Sequence, residues 1–374
     1  MSDQRIPFQQ VPAQRAPRKR HRRVFKVLFL VIVAALLTVP SLGMLVAPTT
    51  SSPEKRDLTN FSWGDLGGWF DDHFALRNQL ISANARLEAG ALGTSSSDQV
   101  VCGKDGWLYY AGTLSDYVQT DPLSNADLKK IAENLKAFQD QCDAQGAAFA
   151  FMLAPDKASL YPEHMPYYYL RGTGASNASR LKPFLDAAGV TYVDLSALQL
   201  SYFKTDTHWN NVGALMAMQA ATAKLGLHSS VVWPTSFTTR ADHVGDLAQM
   251  LYPAGAAPED DYYLKGVNDG PALTGADWRY RSSDPSPGEE AYEAGRIQTS
   301  GKGEAHLVVY RDSFGNAMLP YLASITKSAY FSKMTPYEPG LIAQTGADYV
   351  IVEKAERNLK DLVDPAFLGL GKKK

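Results

Sequence analysis

The sequence predicts an α/β sandwich with a mostly parallel sheet, preceded by one N-terminal transmembrane helix. Three observations carry this. Apolar runs of strand length, such as AAFAFMLAP (147–155) and HLVVY (306–310), are continuous rather than alternating, as in strands covered on both faces. Stretches of helical periodicity separate them in a repeating strand–helix order. The basic N-terminal block and the apolar run behind it stand outside that alternation.

The chain has 374 residues, of which 45% are hydrophobic and 20% charged, so it is a globular protein of one large domain or two small ones. A net charge of −2 gives a nucleic-acid partner no basic face on the folded part. The cations concentrate at 1–26, where RAPRKRHRRVFK fills 15–26, and an apolar run follows from Val27 to about Val46. About twenty such residues cross a ~30 Å hydrocarbon core. The positive flank keeps 1–26 in the cytoplasm and places the rest outside the cell membrane, in the periplasm or on the cell surface. A cleaved signal peptide has the same charge pattern; no small-x-small site surrounds Ala47, and Pro48 follows it, so 27–47 is read as an uncleaved single-pass anchor. Residues 48–60, PTTSSPEKRDLTN, form a polar tether.

The domain is expected over 61–365. Trp69, Phe70, Phe74, Leu76, Leu80 and Ile81 recur at helical intervals, and Gly90–Gly93 should end that helix. QVVCGKDGWLYYAG (99–112) reads as two short strands about a Lys-Asp-Gly turn. Ser124 can cap a helix running to about Gln145, with Leu128, Ile131, Leu135 and Phe138 on one face. A strand at 147–155, a helix at 178–189 and a strand at 190–196 follow, then a helix from Val212 to Leu225. Strands 306–310, 328–332 and 348–354 alternate with helices 316–323 and 340–346. Between Tyr252 and Glu304 the many Pro, Gly and Asp residues show little periodicity, so 252–304 is expected as an irregular insertion or lid. Residues 366–374 are expected as a solvated lysine-rich tail. Cys102 and Cys142 can form a disulfide outside the membrane or remain two buried thiols. Neither metal-ligand spacing nor a cofactor motif is present.

The chemistry is expected at KTDTHWNNVGALMAMQ (204–219) and RDSFGNAMLPYL (311–322). Asp206 lies two residues before His208, so a carboxylate can hold one ring nitrogen and leave the other as a base. Ser313 follows a buried strand by a two-residue turn, an elbow that presents a nucleophile at the carboxyl edge of a parallel sheet. Each has a plainer alternative: Asp206 and Ser313 are both residue types that cap helices. Trp209 can wall a sugar-binding face or fill the core.

TDTHWNNVGA, RDSFGNAMLPYL, WFDDHFALRNQL, GKDGWLYY, APDKASLYPEHMP, GDLAQML and ADYVIVEKAERNL, spread over about 61–360 in the same order along the chain as in that family, resemble the SGNH-hydrolase-like domain of alginate O-acetyltransferases of the AlgX/AlgJ type, related to DHHW proteins. The resemblance implies a three-layer sandwich with circularly permuted motifs, the Asp-x-His preceding the serine. It implies O-acetylation of an exported or cell-surface polysaccharide by Ser313, His208 and Asp206, supplied with acetyl groups by a membrane-bound O-acyltransferase. Arg311 stands where many SGNH serine motifs begin with Gly. For the oxyanion hole or substrate the candidates are Gly315, Asn316, Lys157 and Arg311. The same residues suit two other functions: a carbohydrate acetylesterase, or a non-catalytic assembly protein of an exopolysaccharide machine.

Overall fold

The structure, a computed structural model, describes residues 19–43, 74, 76–230, 236–269, 279–282 and 295–371. The chain divides into two units, Met1–Leu80 and Ile81–Lys374. In the first, Lys19–Gly43 is a 25-residue helix, and its side chains from Val24 to Ile32 are exposed. Among the described residues no helix is long and apolar enough to cross a membrane. The expected tether at 48–60 lies outside the described residues.

The second unit contains strands β1 (Val100–Cys102), β2 (Leu108–Tyr110), β3 (Ala148–Ala154), β4 (Tyr192–Val193), β5 (Thr238–His243), β6 (Glu259–Tyr263), β7 (Arg279–Ser282), β8 (Arg296–Ser300), β9 (His306–Tyr310), β10 (Ser328–Ser332) and β11 (Tyr349–Ala355). Seven of them form the central sheet in the order β4-β3-β11-β9-β10-β8-β7. The pairings from β4 to β10 are parallel, and β8 and β7 add an antiparallel edge. The sheet is therefore mixed but mostly parallel, as its unbroken apolar strands require.

Alternation along these strands divides the core in two, because successive side chains point to opposite faces. Ala150, Met152, Leu307, Val309 and Ile351 pack with the Asn211–Leu225 and Leu319–Ile325 helices. Phe149, Phe151, Val308, Tyr310, Val350 and Val352 pack against the Asn125–Ala144, Asn177–Ala188 and Gly340–Thr345 helices. This is the expected three-layer sandwich. The Asn125–Ala144 helix starts in a capping box, Ser124 accepting from the Asp127 N–H at 3.0 Å and Asp127 accepting from the Ser124 N–H at 3.2 Å. Its Leu128, Ile131, Leu135 and Phe138 are fully buried.

Four expectations are corrected. The 252–304 stretch is not an irregular insertion throughout: it carries β6, β7 and β8, whose polar residues hide the strand pattern. Its segments 270–278 and 283–294 lie outside the described residues. The strand expected over 190–196 is only the two-residue β4. The 366–374 tail begins inside the fold, since Leu368 is fully buried and Phe367 packs on Tyr337 at 5.1 Å between ring centroids. Cys102 and Cys142 are free thiols in separate core clusters, and burial pushes the Cys142 thiol up to about 12. The disulfide alternative is therefore not realised.

Phe138 meets the rings of Phe149 and Tyr310 edge-on at 6.0 and 5.5 Å, closing one of the two cores. Replacing it with alanine should cost about 3–5 kcal/mol, read as a lowered urea midpoint with an unchanged slope; a loss under ~1 kcal/mol would contradict this packing.

Candidate active site

β3, β4, β9 and β11 are parallel neighbours, so the segments following their carboxyl ends share one rim of the sheet. Ser313 follows β9, and the 203–208 loop lies between β4 and the Asn211–Leu225 helix. That loop is pinched by a bridge between Tyr202 and Trp209, and the Phe203 N–H donates to the His208 carbonyl at 3.3 Å. Asn210 caps the following helix, accepting from the Val212 and Gly213 N–H groups at 3.0 and 3.1 Å. Asp312 caps the short 3-10 helix Ser313–Asn316, accepting from the Phe314 N–H at 3.0 Å. Neither Asp206 nor Ser313 is a helix cap, which removes the plainer alternative for both.

The structure brings together all three expected residues. His208 Nε2 lies 2.7 Å from Ser313 Oγ, and His208 Nδ1 lies 2.7 Å from Asp206 Oδ1. With Nδ1 protonated toward the carboxylate, Nε2 is the acceptor that can draw the serine proton. Asp206 is buried, and burial alone would raise its carboxyl. Hydrogen bonds and charge from His208 and His243 outweigh this and hold it well below the usual carboxylate range.

His243 is a site residue that the sequence reading missed. Its Nε2 contacts Asp206 Oδ2 at 2.9 Å, and the same oxygen accepts the Asp246 N–H at 3.0 Å. The His243 ring stacks on Phe203 with centroids 3.7 Å apart. Burial would lower its pKa, but the Asp206 partnership raises it above the ordinary histidine value. The segment RADHVGDLAQM (240–250) carried the only signal, an adjacent Asp-His pair followed by Gly-Asp. Gly245 is required there: a Cβ would lie 2.2 Å from the Thr205 carbonyl oxygen. Asp246 in turn accepts from the Thr207 N–H and hydroxyl at 2.8 and 2.6 Å. Asp206, His208 and Asp246 place ligand-type atoms within 4.8 Å of one another, but their hydrogen bonds to each other and to Thr207 organise the group around a ring proton.

Of the other expected site residues, only Asn316 faces the pocket beside Ser313 as a polar side chain; Arg311 Nη1 bonds its amide oxygen and so fixes its orientation. Lys157 does not reach the pocket. It is buried and donates to the carbonyls of Phe203, Lys204 and Asp206 at 3.2, 3.0 and 2.6 Å, clamping the triad loop from below. Burial pulls its ammonium down to about 7. Arg311 is buried beneath Ser313, donating to the Asp312 carbonyl at 3.2 Å as well as to Asn316. The Gly315 N–H is taken by Glu353 Oε2 at 3.1 Å, and a Cβ on Gly315 would lie 2.7 Å from Arg311 side-chain carbons. Gly315 is thus a packing position. Trp209 is a core residue, not a sugar wall: it is 1% exposed, and its Nε1–H donates to the Phe314 carbonyl at 3.0 Å. That bond ties the histidine loop to the serine turn.

The α/β sandwich, with Ser313, His208 and Asp206 in hydrogen-bond contact at its carboxyl rim, has an SGNH-hydrolase-like fold. Residues 100–264 match the family model "SGNH hydrolase-like domain, acetyltransferase AlgX". The chain is 26% identical over 286 residues to a probable alginate O-acetylase AlgJ of Pseudomonas syringae pv. tomato, spanning 72% of this chain and 68% of the relative. The corresponding Pseudomonas aeruginosa protein is 30% identical over 167 residues, 41% of each chain. The structure of Bacillus cereus PatB1 with a sulfonyl adduct superposes with a TM-score of 0.52 at 17% identity, over 71% of this chain and 97% of that one, a likeness of fold. Over residues 100–264 the chain is thus similar to an acetyltransferase domain of the AlgX type, and that similarity marks it as an acyltransferase.

The platform under Ser313 generates a pH prediction. Glu353 is fully buried, and its Oε2 accepts the N–H groups of Asp312 and Gly315 at 3.0 and 3.1 Å. Burial, then the Asp312 charge, holds its carboxyl well above the usual range. A carboxyl protonated when folded and ionised when unfolded loses stability as pH rises above its unfolded value of ~4.3, by up to about 1.4 kcal/mol per pH unit, until the folded value is reached. Glu353→Gln should therefore gain on the wild type by up to that slope between pH 5 and 7 in denaturation curves. A constant gap across that range would show that Glu353 is ionised in the fold.

Proposed function

We propose that the domain transfers acetyl groups to hydroxyls of an exported or cell-surface polysaccharide through an acetyl-Ser313 intermediate. The observation that carries the reading is the unbroken relay Ser313 Oγ–His208 Nε2, His208 Nδ1–Asp206 Oδ1, at 2.7 Å in both links. As Ser313 Oγ attacks the acetyl carbonyl, His208 Nε2 takes its proton and Asp206 stabilises the imidazolium. The proton passes to the departing group as the donor's acyl bond breaks, leaving acetyl-Ser313. A sugar hydroxyl then gives its proton to Nε2, attacks the acetyl carbon, and Ser313 recovers the proton. The Phe314 and Gly315 N–H groups serve Asp312 and Glu353. Asn316, oriented from below by Arg311, supplies the side-chain donor to the developing oxyanion.

The names of the two AlgJ relatives support the polysaccharide as acceptor. The basic 1–26 block and the apolar run inside the Lys19–Gly43 helix support a signal anchor that holds the domain outside the cell. A membrane-bound O-acyltransferase partner, delivering acetyl groups across the membrane, would supply a domain so placed.

Ser313→Ala should lower acetyl transfer by on the order of 10⁶ with folding intact, followed as acetyl on an oligosaccharide acceptor by mass spectrometry. Retained transfer would sink the acyl-serine route, and release of free acetate alone would make the protein an esterase. Asn316→Ala should lower kcat by ~10²–10³; an unchanged kcat would remove Asn316 from the oxyanion site.

A further inference from the structure

The roles given to Ser313, His208 and Asp206 leave one strong contact of the site unused, the second imidazole on Asp206. His243 ends β5, and β5 and β6 form a two-stranded sheet apart from the central one. This small sheet and the helix after it fasten the 203–208 loop along its length. Glu259, opposite His243 in the β5–β6 register, accepts the Lys204 and Thr205 N–H groups at 2.7 and 2.8 Å. The Thr205 carbonyl accepts the Ala248 N–H at 3.0 Å, and Asp246 holds Thr207. His243 makes the contact that falls on the catalytic carboxylate, its Nε2 lying 2.9 Å from Asp206 Oδ2. The ring stacks on Phe203 with an angle of 8° between planes, so the stack fixes its plane and the hydrogen bond its rotation within that plane.

Resting on the acetyl-Ser313 reading above, we infer that His243 is a positioning residue of the acyl transfer, holding Asp206 from the side opposite His208 and sharing its charge with that ring. The terminal torsion of an aspartate is broad, so a carboxylate gripped at one oxygen swings and takes its imidazole with it. Here Oδ1 serves the His208 N–H and ring, and Oδ2 serves His243 and the Asp246 N–H. The charge has a second consequence. Facing the His243 ring are Asp206 from the loop and Asp261 and Glu259 from β6, with His208 across the carboxylate. Asp242 and Asp246 flank it along its own segment, and Lys157 is engaged with the carbonyls beneath the loop. Burial works against a positive His243, but Asp206, Asp261 and Glu259 favour it, and the balance lies above the ordinary histidine value. A positive His243 makes a second positive ring on the same carboxylate less favourable, so the two imidazoles titrate as a coupled pair. Once His243 is neutral, the whole Asp206 charge serves the imidazolium that forms at His208.

The test gives the purified full chain p-nitrophenyl acetate between about pH 5 and 9, with Ser313→Ala as the blank. Nitrophenol release yields kcat and KM, intact-mass analysis follows acetyl on Ser313, and thermal melting checks each variant's fold. His243→Phe keeps a ring over Phe203 without its N–H, and should lower kcat by roughly ten- to a hundredfold with little change in KM. His243→Gln keeps an N–H for Asp206 Oδ2 without the charge, and should restore most of kcat at the alkaline end. The wild type should lose kcat in two steps as pH falls. His243→Gln should lose it in one, at least about half a pH unit above the lower wild-type step. A folded His243→Phe with kcat within about twofold of wild type overturns the inference. So does equal loss in both variants, or a His243→Gln profile that superposes on the wild type. Each of these leaves acetyl transfer through Ser313 intact. A wild type whose Ser313 acquires no acetyl overturns the proposed function, and the role of His243 with it.

Discussion

The site depends on the ionisation of one buried carboxylate. Taking Asp206 out of water is costly unless its charge is answered by hydrogen bonds. The fold answers it with the His208 backbone and ring, the His243 ring and the Asp246 N–H. These donors come from two segments about forty residues apart in sequence, the 203–208 loop and the β5-to-helix turn. Each therefore stabilises the other's position, and the imidazole is oriented as a by-product of satisfying the charge. Lys157 completes the arrangement from the opposite side, holding the loop by its carbonyls rather than by the carboxylate. Loss of the charge would loosen both segments at once.

The second half of the site is built on different terms. Ser313 stands on a turn whose backbone donors are consumed by Asp312 and Glu353. Asp312 also accepts from the Ala355 N–H at 2.7 Å and from Asn358 at 3.2 Å, locking the turn to the end of β11. The Trp209–Phe314 bond then joins the two halves, with the rings edge-on at 5.0 Å. Ser313 and His208, brought together by a buried indole, keep their separation without relying on the Ser–His contact alone.

Much of this was legible in the sequence, for identifiable reasons. Strands such as β3, β9 and β11 are buried on both faces, and that burial leaves a continuous apolar run in each. Ser313 was legible because it follows β9 directly, and Asp206 and His208 because their Asp-x-His spacing stands just ahead of the Asn211–Leu225 helix. The β5–β6 hairpin was not: its strands TTRADH and EDDYY are half-exposed and charged, and their partner is set by tertiary pairing. His243 was hidden with them. Lys157, Arg311, Gly315 and Trp209 were located at the rim correctly, but which way a side chain turns there is decided by neighbours distant in sequence. Lysine and arginine next to a reactive serine suggest substrate contacts; here the nearest unpaired acceptors lie beneath the loops, and the cations follow them.

The rim also shows where the fold tolerates cost. Glu353, Asp156 and Glu356 are all buried at the carboxyl ends of β3 and β11, and burial raises the carboxyl of each above its ordinary range. Glu356 accepts the Asp156 N–H at 3.0 Å, and Arg357 lies 3.8 Å from Asp156 and 5.1 Å over the Phe314 ring. An apolar core of the same volume would be more stable than such a group. Apolar residues, however, accept no backbone N–H, and the turns leaving parallel strands at this edge expose several. Glu353 and Glu356 satisfy such donors, at Asp312, Gly315 and Asp156, and so fix the paths of the Ser313 turn and the segment after β3. Stability given up at the rim is what holds the hydroxyl within reach of His208, while the apolar layers on either side of the sheet carry the fold.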